Sequence, residues 1–326
     1  MTVLSSTPCS GRAGDLLDWY ASHARDLPWR RTQDPYRIWV SEIMLQQTQV
    51  ATVLARFAVW FDTFPDIATL AAAELDSVLK AWEGLGYYRR ARFMHSAAQA
   101  IVARHAGVFP HDCEAIQSLP GIGRSTAGAI ASFCFGMGTP VLDGNVKRVI
   151  RRWHAEPDAS DKRLWQLAQE AIDVSGEPDT WNQAMMELGA TLCISATPRC
   201  RACPVQQHCA SAFQVDTAGE KSMRVRVRDV HWQVHLHVDK AQGIWLMQRP
   251  DTGIWAGLWT PPITELASAP VASPCYIHQL THRRLHLYTD ISGKPPSGSG
   301  QWVADIGKLA LPTGIHQLFA KHGMTF

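Results

Sequence analysis

Four cysteines within 17 residues are the part of this sequence best suited to metal chemistry. Their spacing is Cys193-x6-Cys200-x2-Cys203-x5-Cys209. Four thiolates from one short loop can hold an iron–sulfur cluster or a zinc ion. Zinc ribbons bring two separated Cys-x2-Cys pairs together, whereas this loop has one such pair between wider gaps. The spacing therefore favours a 4Fe–4S cluster over zinc. It does not separate a structural cluster from a redox-active one.

Two carboxyl groups in unlike settings could supply acid–base chemistry. Glu42 lies in the apolar run 38–45 of a helix predicted to begin at Asp34, and burial there would raise its pKa. Asp143 precedes Gly144 at a more polar helix start, which would keep it ionised. A proton donor and an ionised carboxylate are what cleavage of a glycosidic bond requires. Each residue also has a plainer interpretation, Glu42 as a salt-bridged helix residue and Asp143 as an N-cap.

A glycine-rich hairpin lies between two apolar helical patterns. In Leu119-Pro120-Gly121-Ile122-Gly123, both glycines allow positive φ and expose backbone amides at a helix start. Amides and a helix dipole arranged in this way can bind a phosphate. The pattern is that of the helix–hairpin–helix of non-specific DNA contact, and the alternative is a plain tight turn. A nucleotide P-loop is excluded because Gly-x4-Gly-Lys-Ser/Thr is missing.

The elements around these residues divide the chain into a helical and a mixed part. Residues 15–213 are predicted to be all-α, with helical spacing over 67–82, 89–105, 164–174 and 181–188. Period-two alternation over 231–238 and 285–291 predicts strands, and 315–322 a short helix. We therefore predict a helical domain over 1–213, a linker over 214–229 and a smaller α+β domain over 230–326, with a loop at 293–300.

Composition adds limits but no partner. The 326 residues suggest about two domains, and the net charge is only +2. From residue 214 onward there are eleven basic and eight acidic residues, which leaves a net charge of −1 for the first part. DNA binding would therefore rest on local placement of arginines, in the clusters 30–31, 89–92 and 147–152 and at the loop residues Arg199 and Arg201. The alternative for each cluster is a solvated helix face. No apolar run approaches about 20 residues, and no signal sequence is recognisable, so we expect a cytoplasmic protein that binds no membrane.

Taken together, the motifs resemble those of the MutY family of adenine DNA glycosylases. The resemblance covers about residues 20–210 and rests on several segments at once. These are RDLPWR from Arg25, SEIMLQQTQV from Ser41, GLGYY from Gly84, LPGIGRSTAGAI from Leu119, VLDGNVKRV from Val141 and the four-cysteine loop. In the second domain, Arg249-Pro250-x4-Trp255-Ala256-Gly257-Leu258-Trp259 resembles the family's Nudix-like recognition domain. A catalytic Nudix box is missing from the sequence, which argues against pyrophosphate hydrolysis.

The resemblance implies a reaction and a set of roles. The substrate would be double-stranded DNA with adenine opposite 8-oxoguanine or guanine, bound by a monomer carrying a 4Fe–4S cluster. Glu42 would protonate the adenine ring and later activate water, Asp143 would stabilise or attack the oxocarbenium-like sugar, and Asn145 would orient Asp143 and the water. The candidate DNA- and base-binding residues are Arg30 in the adenine pocket, the wedging residues Gln47 and Tyr87, Gly121, Gly123, Ser125, Lys147, Thr281 and His282.

Two departures and two alternatives accompany this interpretation. Ser125 stands where an endonuclease III-like glycosylase/lyase has its Schiff-base lysine, and a hydroxyl cannot form an imine. A monofunctional enzyme is therefore predicted, although Lys147 could trap an abasic site.

The family's Phe-Ser-His recognition segment is Leu280-Thr281-His282 here, so the aromatic residue of that segment is lost. The second alternative is a catalytically silent mispair-binding or redox protein. His235 and His237 are read as a solvated strand face rather than a metal site.

Overall fold

The structure is a computed structural model that describes residues 8–214, 227–292, 295 and 298–324. The helices of the described residues are α1 Pro8–His23, α2 Pro35–Leu45, α3 Val50–Thr63, α4 Ile67–Ala72, α5 Leu75–Ala81, α6 Arg89–His105, α7 Cys113–Gln117, α8 Arg124–Phe135, α9 Gly144–His154, α10 Asp161–Asp173, α11 Pro178–Thr191 and α12 Thr313–Lys321. The strands are β1 Arg228–Asp239, β2 Gly243–Gln248, β3 Trp259–Thr260, β4 Ile263–Leu266, β5 Tyr276–Gln279, β6 Arg283–Ser292 and β7 Gly300–Val303.

The helical prediction for the first part is confirmed, since residues 8–214 contain helices and turns and no strand. One predicted helix is wrong in detail. The periodic segment 67–82 is two helices, α4 and α5, because Ala73 and Glu74 adopt extended backbone between them. The break leaves Leu70, Val78 and Leu79 all fully buried. Apolar spacing predicted the buried face, but it did not show where the chain changes direction.

The second part contains the predicted mixed sheet, built around two long strands. β1 and β6 pair in parallel from Arg228↔Arg283 to His237↔Ser292. The strand order is β3-β2-β1-β6-β5, with β4 added to β1 and β7 added to β2. Alternation places Trp232, Leu236 and Leu285 on the buried face, where helix α12 packs through Phe319. The histidines of β1 lie on the opposite face.

The compact units of the structure differ from the domains that the sequence predicts. The first compact unit comprises the described residues of Met1–Gln47 and Ala100–Lys221, and the second those of Thr48–Gln99 and Ser222–Phe326. Helices α3 to α5 and most of α6 thus share a unit with the sheet. The sequence-based boundaries at 213 and 230 stay a prediction. Residues 215–226 of the predicted linker, and part of the predicted loop at 293–300, lie outside the described residues.

The core of the first unit supports the segments that carry chemistry. Side chains from α1, α9, α10 and α11 form it, with Leu16, Trp153, Leu164 and Trp181 fully buried or nearly so. Cys193, Cys203 and Cys209 pack against its edge. Within the part of the chain that the structure describes, every helix falls short of the length and apolarity needed to span a bilayer.

Candidate catalytic site and DNA-contact surfaces

Helix α2 positions Glu42 in a mostly apolar environment. Asp34 caps the helix by accepting a hydrogen bond from the Tyr36 amide at 2.9 Å, and Pro35 occupies the first turn. Ile38, Trp39 and Ile43 are buried around it. Burial is the main cause that raises the Glu42 pKa to about 7, and the Asp143 carboxylate adds to it, while Arg30 acts in the opposite direction. Glu42 keeps some exposed surface, so a proton held there can reach a ligand.

Asp143 begins helix α9 and is satisfied as a carboxylate. Its Oδ1 accepts from the Val146 amide at 2.7 Å, and its Oδ2 accepts from Asn145 Nδ2 at 3.5 Å. The N-cap interpretation from the sequence is therefore correct, and it is compatible with a chemical role. The same cap that starts the helix also fixes the carboxylate beside Glu42, whose pKa it raises. Two carboxyl groups with different environments suit an acid and an ionised partner.

A short relay of hydrogen bonds extends from Asn145 to the cysteine loop. Arg148 Nη2 donates to Asn145 Oδ1 at 2.9 Å and to the Gly189 carbonyl at 2.7 Å. Arg148 Nε donates to the Cys193 carbonyl at 2.8 Å. Glycine is required at 189 by close helix packing, because a Cβ there would lie 2.7 Å from the Asn145 Cβ. The orientation of Asn145 is thus set by both α9 and α11.

The strand-like segment before Asp143 is held by side chains from two helices. Ser125 Oγ accepts from the Leu142 amide at 3.0 Å, and Asn182 Oδ1 accepts from the Val141 amide at 3.0 Å. Asn182 also donates to the Ser132 hydroxyl at 2.9 Å. Ser125, a candidate DNA contact in the sequence, therefore has an internal partner.

Glu187 is a buried acid of this unit that the sequence analysis missed. Its side chain is 0% exposed, and it accepts from Arg25 Nε at 2.6 Å and from Arg30 Nη2 at 2.8 Å. Burial favours a higher pKa for Glu187, but the hydrogen bonds from the two arginines outweigh it and the pKa is lowered. Arg30 also lies over the Tyr20 ring. The signal was present, since Glu187 occupies the predicted helix 181–188 among apolar residues, as Glu42 does in its own helix.

The glycine hairpin forms as predicted, with one correction. Gly121 has φ +77, which favours glycine, whereas Gly123 has φ −87 and is the N-cap of α8. Positive φ is thus needed at one glycine and not at both, because a helix N-cap has extended backbone. A Cβ at 123 would meet open space. Next to it, the Arg124 guanidinium stacks over Trp165 at 3.9 Å, which ties the hairpin to α10.

The two residues predicted to wedge into DNA share an unusual backbone. Gln47 has φ +55 and Tyr87 has φ +46, left-handed values that are costly for side chains with a Cβ. Both are exposed, Tyr87 to 48%. Strain of this kind concentrates at functional sites because the surrounding structure must maintain it.

The structure brings Tyr87 together with a residue predicted for recognition. The Tyr87 hydroxyl lies 2.5 Å from Oγ1 of Thr281, which is in the turn between β5 and β6. Thr281 and His282 are both exposed there, and the His282 carbonyl accepts from the Arg228 amide at 3.0 Å. Two DNA-contact candidates 194 residues apart in the chain thus form one surface.

Not every predicted basic cluster is available to phosphate. Arg90 and Arg152 are buried and donate to backbone carbonyls, Arg90 to Leu85 and Arg152 to Ile194. Both interpretations of the clusters, a phosphate-binding stripe and a solvated helix face, are therefore wrong for Arg90 and Arg152, whose guanidiniums bind loop carbonyls. Lys147 remains at the surface and pairs with Asp161 at 2.8 Å. Arg199 and Arg201 are exposed.

The four clustered cysteines line one cavity. Its walls include Cys193, Cys200, Cys203 and Cys209, with Arg152 and Arg199 beside them. All four are free thiols, as are Cys113, Cys134 and Cys275. Burial raises the pKa of Cys203 to about 11. Among the described residues, no three His, Cys, Asp or Glu side chains converge closely enough to hold a single metal ion.

The histidine face of β1 is only partly the solvated face that the sequence predicted. His235 contacts Asp290 at 2.9 Å and Thr264 at 3.0 Å. His237 is buried, and its Nδ1 contacts Ser292 Oγ at 2.7 Å, so the solvated interpretation is wrong for that residue. The partners come from neighbouring strands of the sheet, which alternation within β1 does not reveal.

Comparison with known proteins shows the family to which this chain belongs. Residues 40–173 match the model of the HhH-GPD superfamily base excision DNA repair proteins. The chain is 38% identical over 256 residues to the adenine DNA glycosylase of Buchnera aphidicola subsp. Baizongia pistaciae, covering 76% of this chain and 72% of that protein. The chain belongs to the adenine DNA glycosylase family. Its members are glycosylases, enzymes that hydrolyse N-glycosidic bonds in base-excision repair.

Two further comparisons define how far the likeness extends. The chain is 45% identical over 217 residues to the human adenine DNA glycosylase, covering 62% of this chain but only 40% of the human protein. A thermostable thymine-DNA glycosylase superposes with a TM-score of 0.60 at 25% identity, over 64% of this chain and 98% of its own. The helical glycosylase fold is thus shared beyond the family.

Proposed function

We propose that this protein removes adenine opposite 8-oxoguanine or guanine from double-stranded DNA, acting as a monomer and a monofunctional glycosylase. The observation that carries the proposal is the Glu42 carboxyl, whose pKa is raised to about 7 by burial and by Asp143. At neutral pH a carboxyl of that pKa still delivers a proton, which an ordinary surface glutamate cannot. The family relationship supplies adenine as the base.

In this mechanism the two carboxyl groups divide the work. Adenine leaves the base stack, at a cost of a few kcal/mol, so that its ring can reach Glu42. Proton transfer from Glu42 makes the base a better leaving group. As the bond breaks, positive charge develops on the sugar, and the hydrogen-bonded Asp143 carboxylate stabilises it or attacks it. Asn145 holds Asp143 and orients the water that Glu42, now ionised, activates.

Contacts to DNA would come from several surfaces with different tasks. Amides of the Gly121–Gly123 turn and Lys147 suit backbone phosphates. Gln47 and Tyr87, exposed on left-handed backbone, suit insertion into the duplex, and stacking lost there is offset by other contacts. Arg30 would face the adenine. Thr281 and His282 would read the opposite base from a Nudix-like C-terminal domain, with Thr281 supplying a hydroxyl in place of the family's serine.

The lyase alternative lacks its nucleophile at the expected place. Ser125 occupies that position, and its oxygen accepts a hydrogen bond from the Leu142 amide. A hydroxyl forms no imine with an abasic sugar, so β-elimination has no starting point there. Lys147 is the nearest lysine of the motif set, and it pairs with Asp161. The product is therefore an intact strand with an abasic site.

The cysteine loop suits a 4Fe–4S cluster better than zinc. Four thiols line one cavity, and their sequence contains one Cys-x2-Cys pair between wider gaps, not the two pairs of a zinc ribbon. Cys193, Cys200, Cys203 and Cys209 would hold the cluster, and Cys203, whose pKa burial raises, would bind it as the thiolate. A bound cluster would support the loop that presents Arg199 and Arg201.

The test is single-turnover cleavage of a labelled duplex with adenine opposite 8-oxoguanine, comparing the wild type with Glu42→Gln. Glutamine keeps the shape but has no carboxyl proton, so we expect the rate to fall by about 10²–10⁴-fold. The wild-type rate should decline as the pH rises through about 7, because the proton is then lost. Strand cleavage should appear only after added base.

Each outcome of this experiment is decisive for one part of the proposal. If the wild type released no adenine from a duplex with adenine opposite 8-oxoguanine or opposite guanine, the glycosylase assignment would be contradicted. Strand scission without added base would contradict the monofunctional assignment. Analysis of iron and sulfide in the purified protein tests the cofactor, and zinc alone would refute it. Glu74→Gln, an exposed glutamate without a side-chain contact at its helix start, is the matched control for removing a carboxylate.

A further inference from the structure

The segment that carries Tyr87 is tied to the C-terminal sheet through Asp76. Asp76 lies in the first turn of α5 and is half-buried. Its Oδ1 accepts from Gln248 Nε2 at 2.9 Å, and its Oδ2 accepts from Trp259 Nε1 at 3.0 Å. One carboxylate of α5 therefore contacts both β2 and β3. Hydrogen bonds to a charged acceptor are the stronger kind, and their geometry is narrow.

A second tie follows seven residues later. Glu83 Oε1 contacts His316 Nε2 of α12 at 2.5 Å, and Glu83 Oε2 accepts from Lys80 at 2.7 Å. The Glu83 side chain is only 18% exposed and that of His316 34%, so water screens this contact less than a surface pair. Lys80 fixes the Glu83 carboxylate from within its own segment. The helix of the C-terminal domain is thereby attached to the loop before Tyr87.

A third tie lies on the other side of Tyr87. Arg92 Nη1 contacts Asp251 at 3.2 Å, but Asp251 is 87% exposed, so this ion pair alone contributes little. The packing is more informative. A Cβ at Gly257 would overlap the Arg92 guanidinium, so the guanidinium lies directly against the backbone of that turn. Gly257 also has φ +68, a second reason for glycine there.

These three ties flank the contact between Tyr87 and Thr281. We propose that Asp76, Glu83 and Arg92 form a clasp that positions Thr281 and His282 beside Tyr87, and so sets the preference for the base opposite adenine without touching DNA. The inference rests on the proposed function. It adds three positioning residues, of which the sequence analysis considered only Arg92, as a member of the arginine cluster 89–92. Recognition geometry tolerates errors of about 0.5 Å, so loosening the clasp should weaken discrimination.

The division of the described residues into two compact units supports the clasp. Residues 76–92 and the sheet belong to one compact unit, whereas Glu42 and Asp143 belong to the other. A clasp variant should therefore alter how the opposite base is read and leave proton transfer intact. The adenine-release rate opposite guanine serves as the internal reference for chemistry. The ratio of rates opposite 8-oxoguanine and guanine serves as the measure of recognition.

The experiment uses the full-length protein with Asp76→Asn and Asp76→Ala, and Glu74→Ala as the matched control. Asparagine keeps one acceptor and alanine keeps none, so the effects should be graded. We expect Asp76→Ala to lower the rate ratio at least fivefold, with a smaller loss for Asp76→Asn and none for Glu74→Ala. Release opposite guanine should stay within twofold of the wild type. Hydrogen exchange of peptides covering 84–92 and 276–284 should accelerate in the same order.

Several results would overturn the clasp. An unchanged rate ratio in Asp76→Ala would show that the ties do not set recognition, and unchanged hydrogen exchange would show that they do not hold the sheet. If Asp76→Ala fails to fold, Trp259→Phe removes one donor from the opposite side and should lower the ratio in the same direction. A wild type that releases no adenine from either duplex contradicts the proposed function. The exchange measurement then still decides whether the clasp exists.

Discussion

The two compact units use charge in different ways. In the first, burial is the main cause of the raised Glu42 pKa, whereas two arginines lower the Glu187 pKa against the effect of burial. In the second, Tyr87 and Thr281 are exposed, and their contact joins two neutral hydroxyl groups. Bond cleavage benefits from a low dielectric, where each charge acts strongly. Reading a base requires side chains that the base can reach.

Within the first unit, the two buried glutamates show how partners decide protonation. The Glu42 pKa is raised by burial and by a neighbouring carboxylate, so Glu42 keeps its proton. The Glu187 pKa is lowered although burial opposes this, because Arg25 and Arg30 donate hydrogen bonds to it. Burial opposes ionisation at both glutamates, and the charged neighbours decide that one keeps its proton while the other is an anion. Arg30 acts on both glutamates, since it pairs with Glu187 and partly opposes the rise of the Glu42 pKa.

After Glu42→Gln, the largest expected effect is that of Asp143→Asn. This change removes the negative charge opposite the developing sugar cation while an amide oxygen can still cap α9, so we expect the rate of adenine release to fall by about 10²–10³-fold. The alkaline limb of the pH–rate profile should also move to lower pH. The reason is that Asp143 no longer disfavours ionisation of Glu42.

Single-turnover rates measured between pH 5 and pH 9 test this prediction. An unshifted alkaline limb in the variant would show that Asp143 does not influence Glu42. Ser77→Ala, an exposed substitution in the second unit, is a control that should leave both the rate and the profile unchanged.

Glu187→Gln should act on stability. Loss of the charge leaves Arg25 and Arg30 without a carboxylate in a buried site, which we expect to cost about 2–4 kcal/mol in the free energy of unfolding. Because the pKa of Glu187 is lowered in the folded state, its contribution is present above the unfolded pKa and is lost as the pH falls through the folded one. The difference from the wild type should therefore shrink in acid.

Urea unfolding at pH 7.5 and at low pH provides the measurement for Glu187. The control is Asp26→Asn, whose partner Arg31 is likewise at the surface and which should have no measurable effect. Equal destabilisation by both variants would mean that burial does not distinguish the two ion pairs.

The smallest expected effect concerns the contact between Tyr87 and Thr281. Tyr87→Phe and Thr281→Val each remove one hydroxyl from an exposed hydrogen bond, so stability should change by less than about 1 kcal/mol. We expect the preference for 8-oxoguanine over guanine to fall about threefold in each variant, and no further in the double variant, since one interaction is lost in all three. Additive losses in the double variant would show that the residues act independently.

Much of the fold could be predicted from the sequence because local patterns report burial. The alternation over 231–238 predicted β1, and helical spacing over 89–105 predicted α6 with the bounds that the structure has. The break between α4 and α5 was missed because apolar spacing continues through it. The burial of Arg90 and Arg152 was missed as well, since sequence does not show which backbone carbonyls a guanidinium will satisfy.

By itself, the sequence determined the chemistry available to this protein. It supplied an acid in an apolar helix at Glu42, an N-cap carboxylate at Asp143, a glycine turn at Gly121 and four cysteines in one loop. These follow from residue type and short-range spacing, which act within one or two turns of chain. Tertiary structure alone decided which polar groups meet. Arg30 pairs with Glu187 across 157 residues, and Asp76 with Trp259 across 183, because packing and not sequence distance brings a donor to its acceptor.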